Sequence, residues 1–176
     1  GLIEKARGGG CRVIGVTAPA GYGKSTFLVE WALAEDRPVV WVSFDRLDDD
    51  PALVLSLLAS ACARAWPADA GLIADVSGVG VSVLGRAAPR LASVFRASPV
   101  PFVVMLDDLH ELRSPACHDV LSVVISGIPQ GSQLVAASRF EQPHLPRLRA
   151  SGDAMEFMAA DLALDPAGAE QIFSQA

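Results

Sequence analysis

Apolar residues in this chain gather into short dense runs, and the segments between the runs carry helical spacing. Five runs predict strands: Arg12 to Thr17, Val39 to Ser43, Phe102 to Asp107, Gln133 to Ser138 and Ala154 to Phe157. Between them, helices are predicted from about Lys24 to Ala34, and from Pro51, a favourable first-turn residue, to Arg64. Ser114-Pro115 opens another that ends near Ser126-Gly127, and a last one runs from Pro166 to the C-terminus. Trp66 to Ser98 is the hardest stretch, because Gly71, Gly78, Gly80 and Gly85 interrupt small apolar residues. Its Val76 to Val83 run alternates like a strand, but a surface loop followed by a helix from about Arg86 to Arg96 is the expectation. Strands alternating with helices predict an α/β fold: a three-layer αβα sandwich around a mainly parallel five-stranded sheet.

The loop after the first run changes this picture most. Ala18-Pro19-Ala20-Gly21-Tyr22-Gly23-Lys24-Ser25-Thr26 joins strand to helix. Gly21 and Gly23 let the backbone approach a phosphate, and the helix N-terminus adds free N–H groups and a positive dipole end. Lys24 can reach the β- and γ-phosphates, and the Ser25 hydroxyl can sit on Mg²⁺. The segment from Ala20 to Thr26 is therefore the expected nucleotide-binding loop of a P-loop NTPase, a Walker A pattern with Ala18 where glycine is usual. Phe102 to Asp108 supplies the matching second motif, an apolar strand whose acids stand at the ligand edge of a parallel sheet. Asp107 is placed to hold Mg²⁺, directly or through water. Asp108 could polarise an attacking water or orient the metal shell.

Composition narrows the alternatives. The 176 residues, 51% of them hydrophobic, suit one α/β domain over residues 1–176. No apolar stretch approaches the roughly 20 residues needed to cross a bilayer, and Gly1-Leu2-Ile3-Glu4-Lys5 lacks a signal peptide's apolar centre, so a soluble cytoplasmic domain with no membrane partner is expected. A net charge of −6 with scattered basic residues argues against direct nucleic-acid binding. Cys11, Cys62 and Cys117 show no metal-ligand rhythm and are expected to be reduced buried thiols. His110, His118 and His144 lack metal-binding spacing and are expected to face solvent or sit in turns.

Thr17 to Ser25 followed by Glu30-Trp31-Ala32 resembles the ATPase module of the STAND class, and more narrowly that of the large ATP-binding LuxR-type transcriptional regulators. Further segments agree in order: Trp41 to Asp45 with Asp48 to Pro51; Leu106 to His110; Leu134 to Arg139 with Leu145 to Arg149. The resemblance implies a nucleotide switch that assembles when ATP-bound and rests when ADP-bound, with weak hydrolysis to ADP and phosphate. It also implies that Arg139, matching the family's sensor arginine, ends a strand lying between those that carry Lys24 and Asp107. A guanidinium there could report on the γ-phosphate by bidentate contact. Such relatives carry a basic, proline-containing segment before the position of Leu2 that helps hold adenine. The given sequence lacks it, so an open adenine side is expected. It starts almost at its first strand and ends within a helical pattern, as a fragment of a longer multidomain protein would, and a helix-turn-helix domain beyond the C-terminal end is where DNA binding is expected. The rival readings are a small-molecule or nucleotide kinase and a catalytically silent nucleotide-binding module. The Asp48-Asp49-Asp50 run is explained as a solvated acidic loop capping the Pro51 helix.

Overall fold

The computed structural model describes residues 1–65, 71–77 and 82–164. Five strands, β1 (Val13–Thr17), β2 (Val39–Ser43), β3 (Val103–Asp107), β4 (Gln133–Ser138) and β5 (Ala154–Met158), form one sheet in the order β2-β3-β4-β1-β5. Every pairing is parallel, with Val13 opposite both Leu134 and Ala154, and Val104 opposite both Val40 and Leu134. The fourth strand does lie between the first and third, as the resemblance implied.

Strand side chains divide by parity between two cores. Val104, Leu106, Leu134 and Ala136 join one core, packed against α3 (Pro51–Ala65), α4 (Leu72–Ser77), α5 (Ala88–Arg96) and α6 (Pro115–Ile125). Val103, Met105, Val135 and Ala137 join the other, with α1 (Leu2–Gly8), α2 (Lys24–Ala34) and α8 (Ala159–Leu164). Burying alternate residues in opposite directions is what a sheet covered on both faces requires, and it explains runs without polar interruptions. Phe27, Leu28 and Trp31 set α2 on the second core, with Phe27 edge-on to both Trp31 and Phe157 at 6.0 Å. Fully burying side chains of this size contributes about 1.5–3 kcal/mol each. At the end of α6, Gly127 touches α5 so closely that a Cβ would come 2.3 Å from the Ala92 carbonyl oxygen.

The predicted strands match within one residue at each end, and the helices at Lys24, Pro51 and Pro115 begin as expected. Among the described residues four helices escape the periodicity: α1, α4, α7 (Leu145–Ala150) and α8, each six or seven residues long. A single turn or two offers too few positions for a 3.6-residue pattern to declare itself. The first strand is thus preceded by a helix. The expected loop before α5 holds α4 and a π-helical turn over Val83–Ala87, in which Ser82 Oγ accepts from the Gly85 N–H. The part of the alternating run over 78–81, and the helix expected from Pro166 onward, lie outside the described residues. Among the described residues no helix is long and apolar enough to cross a membrane.

The sheet edge opposite the glycine loop is stapled by ion pairs. The Arg37 guanidinium donates to both carboxylate oxygens of Glu35 (2.8 and 2.9 Å), to Gly131 O and to Gln133 Oε1. Gln133 Nε2 in turn donates to the carbonyls of Ala6 and Cys11, so α1, the end of α2 and the start of β4 share one network. Burial pushes the Glu35 carboxyl up, but hydrogen bonds from Arg37 and Trp31 outweigh it and hold its pKa at about 2, below its ordinary 4.5. A depressed carboxyl stabilises the fold above its unfolded pKa, and that contribution is lost as pH falls toward the folded one. Between pH 6 and 3 the wild type should therefore lose about 2 kcal/mol through this group. Urea unfolding at both pH values should show Glu35→Gln less stable at pH 6 but with a flatter acid limb; equal slopes would remove Glu35 as the cause.

Candidate functional site: a cleft at the strand ends

β1 delivers the chain to the C-terminal edge of the sheet, and the turn from there to α2 requires two left-handed residues. Gly21 (φ 86°) and Gly23 (φ 78°) supply them, a conformation that a side chain would oppose. Gly23 is the N-cap of α2, so the first N–H groups of the helix open onto the loop. Ala18 is buried at 3% exposure and its N–H donates to Ser138 O at 3.1 Å, so the position that usually holds glycine works here as a packed continuation of the β1–β4 ladder. Ala20, Gly21 and Ser25 are exposed, Tyr22 and Thr26 are half-buried, and Tyr22 packs on the α1–α2 side.

Eight of the ten expected residues converge, all but Tyr22 and Asp107. Ala20, Gly21, Gly23, Lys24, Ser25, Thr26, Asp108 and Arg139 line one cleft of about 230 Å³. Lys24 is 8% exposed and its ammonium donates to Pro19 O at 2.9 Å. Burial, then the nearby Arg139, lower the Lys24 pKa, while Asp108 and Asp107 act to raise it. Arg139, exposed at the end of β4, thus stands close enough to Lys24 for their charges to interact. Asp107 is buried at 6% exposure at the last position of β3, opposite Ser43 of β2, and its Oδ1 accepts from the Asp108 N–H at 2.9 Å. Asp107 does not line the cleft surface itself; it sits behind Asp108.

Asp108 has φ 55° and ψ 41°, the one non-glycine residue with positive φ among those described. This left-handed step turns the chain out of β3 and carries the half-exposed Asp108 side chain into the cleft. Ser25 and Asp107 offer a hydroxyl and a carboxylate, the hard oxygen donors that suit Mg²⁺. Among the described residues no group of three or more His, Cys, Asp or Glu side chains is arranged to hold a metal by itself.

The histidine expectation holds for His110 and His144, which sit in turns, and fails for His118, which lies within α6. The His110 side chain is only 5% exposed and meets Arg139, with the Arg139 backbone N–H donating to its Nδ1 at 3.1 Å. His144 is half-buried with both ring nitrogens enclosed, and burial pushes its pKa down to about 4, with His118 adding to the effect. His118 is half-buried and bonded through Nε2 to Leu112 O. A histidine two places beyond the acids carries no spacing signal, so only the fold could bring it to the site. Of the cysteines, Cys62 and Cys117 are buried and Cys11 is half-buried; all three are free. Burial pushes both buried thiols up to about 12, helped at Cys117 by Asp49. The acidic run is more structured than a solvated loop. Asp50 Oδ2 accepts from the Leu53 N–H at the start of α3, Asp48 caps Asp45, and Asp49 Oδ1 accepts from the Ser114 N–H at the start of α6.

A polar layer lies beneath the glycine loop. Thr17 Oγ1 donates to Glu156 Oε2 at 2.9 Å and accepts from Gln142 Nε2, which also donates to Ala136 O. Gln142 is fully buried, so the end of β1 is braced against both β4 and β5.

No family model matches the chain. Among curated proteins it is 29% identical over 166 residues to the HTH-type transcriptional regulator MalT of Cronobacter sakazakii, covering 90% of this chain. It is 27% identical over 170 residues to the proteins of the same name from two Klebsiella pneumoniae strains. The chain is similar to the MalT regulators. It spans 18% of their length. Solved structures with the same fold are Cdc6p from Pyrobaculum aerophilum (TM-score 0.58, 16% identity, 89% of this chain and 42% of that one) and a chain of Drosophila ORC bound to AT-rich DNA and Cdc6 (0.54, 12%, 99% and 60%). With the parallel sheet and the glycine loop, these likenesses make the architecture that of a P-loop NTPase.

The left-handed backbone at Asp108 gives a stability test independent of any ligand. Asp108→Ala should cost about 1 kcal/mol, because alanine resists positive φ, whereas Asp108→Gly should be at least as stable as wild type. Thermal unfolding of the two variants side by side checks this, and the reverse order would refute a strained position.

Proposed function

We propose that this chain is the ATP-binding, slowly hydrolysing switch domain of a STAND-type transcriptional regulator of the LuxR family, cytoplasmic and part of a longer protein. The observation that carries the proposal is the convergence of Lys24, Asp108 and Arg139 on the glycine-loop cleft, from three adjacent strand ends. Similarity to regulators named for transcription and for a helix-turn-helix supports the regulatory half of the reading.

In this reading the phosphates of ATP rest on the Ala20–Thr26 backbone at the start of α2, and Lys24 exchanges its Pro19 carbonyl for the β- and γ-phosphate oxygens. Lowered by burial, the Lys24 ammonium is poorly solvated, and so it gains from a phosphate partner. Ser25 and Asp107 would hold Mg²⁺, which would supply charge neutralisation on the phosphates when bound. Asp108 orients the attacking water, and Arg139 contacts the γ-phosphate that distinguishes ATP from ADP. Hydrolysis is slow because Asp108 is half exposed and the cleft is open, so little water is excluded around the developing charge. Self-association in the ATP state belongs to the same reading, as does DNA binding by a segment outside this chain, since the −6 net charge suits a phosphate backbone poorly.

Two outcomes test it. Mg²⁺-ATP or Mg²⁺-ADP at about 100 times its dissociation constant should add about 2.7 kcal/mol, a rise of about 5–10 °C in unfolding midpoint that Lys24→Ala abolishes. No rise in the wild type would refute nucleotide binding. Asp108→Asn should bind ATP within about threefold of wild type while hydrolysis falls at least about tenfold. Unchanged hydrolysis would remove Asp108 from the mechanism, and phosphoryl transfer to an added acceptor would replace the switch with a kinase.

A further inference from the structure

His110 occupies a 3₁₀ turn (Leu109–Glu111) that begins one residue beyond Asp108. The β3–β4 ladder ends at Leu106 opposite Ala136, so Asp108 and Arg139 extend past the last paired residues of their strands. The imidazole fills that gap. Its Nδ1 accepts from the Arg139 N–H, which leaves the ring proton of the neutral form on Nε2. Nε2 lies 3.9 Å from Asp108 Oδ1 and 3.7 Å from Glu111 Oε1. The Phe140 ring meets the imidazole edge-on, at 6.1 Å and 89°, and shields it. Burial and the Arg139 and Lys24 charges favour the neutral ring, against Asp108 and Glu111. One buried side chain therefore touches the backbone of the arginine on one strand end and faces the carboxylate on the next.

We propose that His110 is a positioning residue that couples Arg139 to Asp108, so that the presence or loss of a γ-phosphate at the arginine changes the placement of the water-orienting carboxylate. This rests on the nucleotide reading above. A shift of the Arg139 backbone moves the Nδ1 partner, the ring pivots, and Nε2–H moves relative to Asp108. The ladders stop at Asp107 and Ser138, which accept from the Phe44 and Ala18 N–H groups, so Asp108 and Arg139 each lie one residue past them.

The test separates hydrogen bonding from packing. His110→Phe keeps a planar ring of similar size and loses both nitrogens. His110→Asn loses ring volume but places an amide oxygen where Nδ1 accepts. The readouts are the ratio of ADP to ATP dissociation constants and the hydrolysis rate at saturating Mg²⁺-ATP. Both should fall about tenfold in His110→Phe, and in His110→Asn too, because the shorter amide has no counterpart of the Nε2–H that faces Asp108. A Phe or Asn variant equal to wild type in both overturns the coupling while leaving nucleotide binding intact. A wild type that binds neither nucleotide fails the reading beneath it, and the coupling with it. A measurement on the unaltered chain covers variants that do not fold. Ring ¹⁵N shifts should report the Nε2-protonated tautomer and differ between the ATP and ADP complexes; identical shifts in the two complexes overturn the proposal.

Discussion

Strand β4 is held between β1 and β3 by burial on both of its faces, with Leu134 and Ala136 facing one helical layer and Val135 and Ala137 the other. A slip of one residue would exchange those faces and carry all four into the wrong core. The register is therefore stiff, and it sets Thr17 opposite Ser138, with Asp107 one residue short of that level. Everything chemical hangs from that level: the glycine loop leaves β1 there, Asp108 turns out of β3 there, and Arg139 follows Ser138 there. The bond from the Ala18 N–H to Ser138 O carries the alignment one residue beyond the ladder, into the loop itself.

Two forces pull at the strand ends in opposite senses. Hydrophobic burial fixes the strands up to Thr17, Leu106 and Ser138, and beyond them the chain needs unusual backbone. Gly21, Gly23 and Asp108 all take positive φ within a few residues of those ends. Conformations of this kind persist only where the surroundings over-determine them. Here the polar layer of Thr17, Gln142 and Glu156 does so below the loop, and the bond from Asp108 N–H to Asp107 Oδ1 does so at the end of β3.

How much of this could be read from the residues follows from where each signal lives. A strand buried on both faces leaves a run of apolar residues, so all five strands and the α2, α3 and α6 starts were visible. The glycine loop and the paired acids were visible because their chemistry depends on neighbours in sequence. Short helices were not, and α1, α7 and α8 gain their order from packing onto the sheet rather than from their own pattern. His110 was invisible for a different reason. Its partner is 29 residues away, across a strand pairing, and the isolated turn Leu109-His110-Glu111 says nothing about that neighbour. Nor did the acidic run show that Asp49 reaches the start of α6.

The charges around the cleft also constrain what can occupy it. Lys24 and Arg139 bring two positive groups, and Asp107 and Asp108 two negative ones, so the strand ends are balanced by formal count. A bare anion would gain from the cations and the α2 N-terminus but would meet the Asp108 carboxylate on the same surface. An anion accompanied by a divalent cation meets no such conflict, because the carboxylates then become ligands or neighbours of the cation. Balance of this kind favours a metal-bound polyphosphate over a simple phosphate ion. It also explains why Lys24 rests on the neutral Pro19 carbonyl rather than on either acid: an ion pair with Asp107 or Asp108 would have to be broken for every ligand bound, whereas one carbonyl bond exchanges readily for a phosphate oxygen.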